Sequence, residues 1–126
     1  MKIEENLLYT ESHEWVRIEG ENAYIGISDF AQHELGDIVF VEVDTIGETI
    51  NKGEAFGTIE AVKTVSDMYL PLSGEILELN PVIETNPETI NKDPYGEGWI
   101  VKIKLTNPEE AGNLLKPADY AKLVKA

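Results

Sequence analysis

Apolar residues in this chain fall mostly in short runs of four to seven, broken by glycine, proline and acidic residues, a spacing that predicts strands more than helices. Trp15-Val16-Arg17-Ile18 and Ala23-Tyr24-Ile25-Gly26-Ile27 flank the turn residues Glu19-Gly20-Glu21-Asn22, so a hairpin is expected. Ile38-Val39-Phe40-Val41-Glu42-Val43 reads as a strand with Val39, Val41 and Val43 on one face. Glu75–Leu79 is a further strand. Trp99–Leu105 is another, and its alternation of apolar residues with Lys102 and Lys104 marks it as half-exposed.

Helical signals are fewer. Ser28 suits an N-cap, Asp29 suits the first turn, and Phe30, Ala31, Glu34 and Leu35 form a short amphipathic pattern that Gly36 can end. Asn107-Pro108 and Lys116-Pro117 each open a C-terminal helix, the second running through Tyr120 to Leu123-Val124. Asn80 to Asp93 is rich in Asn, Pro and Thr and reads as a loop with one helical turn after Asn86-Pro87. The expected organisation is one mostly-β domain over residues 1–126. It has a short helix near residues 29–35 and helices from about 108.

Composition narrows the function. The net charge of −14, with a single arginine, argues against nucleic acid as a partner. The acidity suits solubility, and equally attraction to basic docking surfaces. There is no cysteine, so any sulfur redox chemistry must come from an attached group. Two histidines, His13 and His33, make a poor metal site, and no metal is expected. No apolar run is long enough to span a bilayer as a helix, and Met1–Glu5 carries no secretory apolar region, so a cytoplasmic location is expected. There is no phosphate-cradling glycine motif and no Ser-His-Asp order.

The most informative run lies between Gly57 and Ile76. Lys63 sits between two apolar, β-prone stretches, with Gly53 before the first and Pro71 and Gly74 after the second. This predicts a hairpin with the lysine at or near its tip. An amine on a flexible four-carbon stem is open there to acylation. The run reads G-T-I-E-A-V-K-T-V-S-D-M-Y-L-P-L-S-G-E from Gly57 to Glu75 and resembles the lipoyl-attachment region of the glycine cleavage system H protein family. Ala61 and Thr64 depart from that pattern, small for small. Three more blocks are similar to the family in the same order: Ser12–Val16, Ile25–Glu42 and Ile90–Trp99.

The resemblance implies a barrel-sandwich hybrid of two antiparallel sheets, built from two similar halves. The shared E-T-I-N-K of Glu48–Lys52 and Glu88–Lys92 fits such halves. It implies lipoate on Lys63, an arm reaching roughly 12 Å from the backbone. It implies a carrier without an active site of its own. Such a carrier moves the aminomethyl group of glycine from a pyridoxal-phosphate glycine decarboxylase to a tetrahydrofolate-dependent aminomethyltransferase. Electrons then pass to dihydrolipoamide dehydrogenase. A lipoate-attaching enzyme must choose Lys63 over nine other basic residues, and Glu60 is the candidate mark it reads. Glu14, in Ser12-His13-Glu14-Trp15, is expected by the cleft that receives the arm, where a carboxylate would pair with a protonated amine. Asp67 is a second candidate there. His33 receives no role, and the carrier is expected to be a monomer. Two alternatives stay open: an H-like protein that mainly donates or relays lipoyl groups, and a biotinyl carrier. The latter is disfavoured by Val62 and Thr64, where biotin sites usually have Met on both sides of the lysine.

Overall fold

A computed structural model describes residues 1–125. Its strands form two antiparallel sheets. The larger runs in the order β1 (Leu8–Tyr9), β2 (Glu14–Glu19), β3 (Asn22–Ile27), β9 (Val101–Leu105), β8 (Gly74–Leu79) and β5 (Thr49–Ile50). The smaller runs β4 (Ile38–Glu42), β6 (Ala55–Ala61), β7 (Val65–Tyr69). Helices α1 (Asp29–Leu35), α2 (Pro81–Thr85), α3 (Thr89–Lys92) and α4 (Pro117–Val124) and a 3₁₀ helix at Pro108–Asn113 surround them. This is the expected mostly-β barrel-sandwich.

The core forms where the inner faces meet. Val16, Ile25, Ile76 and Ile103 of the larger sheet are buried together with Val41, Ile59 and Met68 of the smaller one. Burial of each large side chain contributes roughly 1.5–3 kcal/mol. A second cluster gathers Leu7, Tyr9, Trp15, Tyr95 and Tyr120, and so fastens α4 and the N-terminal segment to β2. The β2–β3 hairpin has Glu19 opposite Asn22, which leaves Gly20-Glu21 as the turn. Ser28 caps α1 by accepting the Ala31 amide at 3.1 Å. Gly36 ends that helix with φ 82, a backbone state that glycine enters without steric cost.

Four expectations need correction. Val39 does not share a face with Val41: the register shifts between Ile38 and Phe40, so Ile38 and Val41 are buried while Val39 and Phe40 are exposed. A bulge inserts one residue and resets the two-residue period, which alternation alone cannot reveal. The stretch from Asn80 to Asp93 holds two short helices where a loop with one turn was expected. Asn80 caps α2 through its side chain and Pro81 stands at the first helical position. Ile83 and Ile90 are drawn into the core. The segment opened by Asn107-Pro108 is a 3₁₀ helix, and Asn107 makes no capping bond. Gly112 weakens α-helix there, and the Glu110 carboxylate is tied to Ser73, accepting from its amide and hydroxyl at 2.8 and 3.0 Å. Finally, the repeated E-T-I-N-K is not a structural repeat. Thr49–Ile50 is a strand paired with β8, whereas Thr89–Lys92 is a helix.

Candidate functional site

The β6–β7 hairpin carries Lys63 at its tip. The Ala61 amide donates to the Thr64 carbonyl at 2.8 Å, leaving Val62-Lys63 as a two-residue loop. The Val62 amide donates to the Asp37 carbonyl at 3.0 Å, which braces the tip against the segment between α1 and β4. Lys63 is exposed and forms no ion pair among the described residues. Its ammonium is therefore presented to solvent on a turn whose backbone is fixed from two sides.

Glu60 lies on the outer face of the small sheet, in a row with Phe40 on β4 and Val65 on β7. Asp67 lies in the next row of that face, opposite Thr58. Both carboxylates are exposed. Val62 and Val65, 72% and 63% exposed, surround the lysine with apolar surface. Single exposed apolar residues are ordinary, but two beside one lysine with Phe40 in the next strand form a local patch.

Below the tip, between the free edge of β7 and helix α1, lies a cleft of about 230 Å³. Ser66, Asp67 and Met68 form one wall. Phe30, Ala31, Glu34 and Leu35 form the other, and Ser12, His13 and Glu14 close the end. Ser66 stands three residues beyond Lys63, about 10 Å along a strand. A larger cleft of about 390 Å³ lies elsewhere, lined by Lys2, Glu4, Arg17, Asp29 and Asp93 among others. It contains none of the residues named for the arm.

Glu14 is the unusual member of the site. It is only 3% exposed, yet it is a carboxylate with no cationic partner among the described residues. The hydroxyls of Thr10 and Ser12 each donate to Oε1 at 2.6 Å, and the Tyr69 amide donates to Oε2 at 3.2 Å. Burial pushes its pKa above the ordinary carboxylate value; the Ser12, Thr10 and Tyr69 hydrogen bonds oppose that rise. The Tyr69 bond also occupies an amide on the open edge of β7, joining the far end of the lysine hairpin to the start of β2, where Glu14 stands. A buried carboxylate held by neutral donors is a prepared partner for a cation that enters from outside.

The structure thus brings Glu14 and Asp67 into one cleft, with Lys63 at the hairpin tip three residues from Ser66 of its wall, and leaves Glu60 on the outer face of the small sheet. Thr10 and Ser12, which hold Glu14, escaped the sequence reading, although their alternate spacing in Thr10-Glu11-Ser12-His13-Glu14 was a signal for it. His33 is exposed on α1 and lines neither cleft.

A hairpin that presents a lysine at its tip, on a barrel-sandwich with a cleft beside the hairpin, defines a prosthetic-group carrier domain. Comparison with known proteins specifies which. Residues 7–126 match the family model described as Glycine cleavage H-protein. The chain is 55% identical over 126 residues to the glycine cleavage system H protein of Bacteroides fragilis, covering all of both chains. It is 56% identical over 124 residues to that of Bacteroides thetaiotaomicron, covering 98% of each. The crystal structure of a glycine cleavage system H protein from Mycobacterium marinum superposes with a TM-score of 0.90 at 38% identity, over 98% of this chain and all of that one. This chain belongs to the glycine cleavage H-protein family, the lipoyl carriers of the glycine cleavage system. It is a carrier component and not an enzyme by itself.

Proposed function

We propose that Lys63 carries lipoate in amide linkage and that this chain is the shuttle of its glycine cleavage system. The observation that supports this best is the exposed Lys63 standing over a cleft that ends in a buried carboxylate without a cation. The lipoyl group supplies the dithiolane, which takes up the aminomethyl group and the electrons. The chain supplies the rest. Lys63 offers Nζ for acylation on a braced turn. Glu60, exposed one row from the tip, marks that lysine for the attaching enzyme. Glu14 pairs with the protonated amine of the cargo, and Asp67 adds a second negative charge on the cleft wall. Phe30, Ala31 and Leu35 keep water from the cargo while it is seated.

The partners in this reading are a pyridoxal-phosphate glycine decarboxylase, a tetrahydrofolate-dependent aminomethyltransferase, dihydrolipoamide dehydrogenase and the lipoate-attaching enzyme. The chain works as a cytoplasmic monomer that visits each in turn. The test is intact mass after incubation with lipoate, ATP and a lipoate–protein ligase. Wild type gains one lipoyl group and Lys63→Arg gains none. A lipoyl gain on Lys63→Arg would move the attachment elsewhere, and no gain on folded wild type would end the carrier reading.

A further inference from the structure

His13 lines the cleft beside Glu14, and its backbone is unusual: φ is 74, a left-handed value rare outside glycine. Its side chain is held from below by α4. Nδ1 lies 2.9 Å from the Tyr120 hydroxyl, and that hydroxyl lies 2.6 Å from Ser28 Oγ. Ser28 Oγ in turn accepts the Ala31 amide at the start of α1. Tyr120 and Ser28 are both wholly buried. Tyr120 stacks on Tyr9 with ring centroids 4.4 Å apart, and His13 packs on Phe30 at 4.8 Å. These contacts fix both rings.

Donor counting sets the direction of this chain. Ser28 already accepts one bond and has one hydroxyl hydrogen to place. With no solvent contact, the only acceptor it reaches among the described residues is the Tyr120 oxygen. The Tyr120 hydrogen is then left to donate to Nδ1 of His13. Nδ1 must accept, so the ring's proton sits on Nε2, which has no partner among the described residues and is not buried. Adding a second proton would require Nδ1–H to point at Tyr120, the tyrosine hydrogen to turn to Ser28, and the buried serine hydrogen to lose its partner.

We propose that Tyr120 and Ser28 lock His13 as the neutral Nε2–H tautomer, so that the cleft stays free of positive charge where the cationic cargo amine must sit. Tyr120 is then a positioning residue: it acts on the cleft only through His13. This rests on the carrier reading for its purpose but not for its chemistry. The charged and titratable groups around the imidazole are Tyr120 on α4, Glu34 on α1, Glu14 next to it, and Asp67 across the cleft on β7. Three of these are carboxyls that would favour a charged imidazole, so without the relay the ring would tend to protonate. Burial works with the relay and lowers the His13 pKa from its ordinary value, against Glu34. The Tyr120 phenol, pushed up to about 12 chiefly by burial, stays protonated and able to donate.

The test uses long-range ¹H–¹⁵N correlation of the imidazole in the protein without lipoate, titrated with pH. Wild type is expected to show protonated Nε2, bare Nδ1, and a titration midpoint below the ordinary imidazole value. In Tyr120→Phe the tautomer preference is lost and the midpoint shifts up. Ser28→Ala leaves Nδ1 as the only acceptor within reach of the tyrosine hydrogen among the described residues and is expected to keep the Nε2–H tautomer; where Tyr120→Phe fails to fold, the tautomer of the wild-type ring decides. With cargo loaded, protection of the cargo against hydrolysis fails at a higher pH in Tyr120→Phe than in wild type. A protonated Nδ1 in the neutral wild-type ring would overturn the proposal, as would a midpoint and tautomer unchanged in folded Tyr120→Phe. Failure of the carrier reading would register separately, as absent lipoylation with the imidazole spectrum intact.

Discussion

At the scale of single residues, Glu14 joins stability to function. Its carboxyl is buried, burial raises its pKa, and the Ser12, Thr10 and Tyr69 donors offset only part of that rise. The folded protein therefore holds this proton more tightly than the unfolded chain does. Glu14's contribution to stability is complete below the ordinary carboxylate value and is lost as pH climbs through the folded-state value. Glu14→Gln cannot titrate. The unfolding free energy of the variant minus that of wild type should rise with pH across that window and then level off. Urea denaturation at a series of pH values between about 4 and 8 measures the difference. A flat difference across that range would mean that Glu14 is not strained by its burial. The same substitution removes the charge proposed to face the cargo amine, so cargo bound to a loaded variant should hydrolyse faster. A stability difference that rises toward neutral pH alongside protection lost is the signature of a residue kept for binding.

At the scale of elements, periodicity and caps carry most of the fold. Ser28 and Gly36 bound α1, Gly20 turns the first hairpin, and Lys63 sits at the tip of the second, because each depends on residues close in sequence. The signals that fail are non-local. The bulge at Val39 is set by how β4 meets β6, and α2 and α3 depend on Ile83 and Ile90 finding the core. In the site, Lys63 and Glu60 are readable from one run. The relay from Tyr120 to His13 joins positions 107 apart and leaves no local trace. Gly26 shows the same limit: its glycine is legible, its reason is not. A Cβ at Gly26 would come within 2.6 Å of the Trp15 indole on the neighbouring strand. Trp15 is fully buried and anchored by its indole N–H donating to the Pro94 carbonyl at 2.9 Å, so it has little room to retreat. Gly26→Ala should therefore destabilise the protein by about 1–3 kcal/mol through overpacking between β2 and β3. Chemical denaturation with an unchanged slope and a lower midpoint would show it. A midpoint equal to wild type would mean that the indole can shift without loss.

At the scale of the whole molecule, charge is the dominant property. Twenty-four acidic side chains face ten basic ones, and the ion pairs among the described residues are Lys2–Glu4 and Arg17–Glu19. Most carboxylates are thus opposed only by solvent and by one another. Such a surface repels copies of itself and opposes its own compact state, while it draws in partners of opposite sign. Salt acts on both through one length: screening reaches about 30 Å at 0.01 M and about 10 Å at 0.1 M ionic strength. The two consequences have opposite signs. Raising salt across that range should increase the denaturation midpoint of the isolated protein, because self-repulsion is relieved. It should slow association with each partner enzyme, because long-range attraction is lost, while dissociation changes little. Stopped-flow binding and urea titrations on one sample, at matched salt, test both. If both quantities rose together, the acidity would serve solubility alone. Movement in opposite directions would show that the chain tolerates a less stable fold in exchange for rapid encounters, as a carrier that must visit several enzymes in each cycle requires.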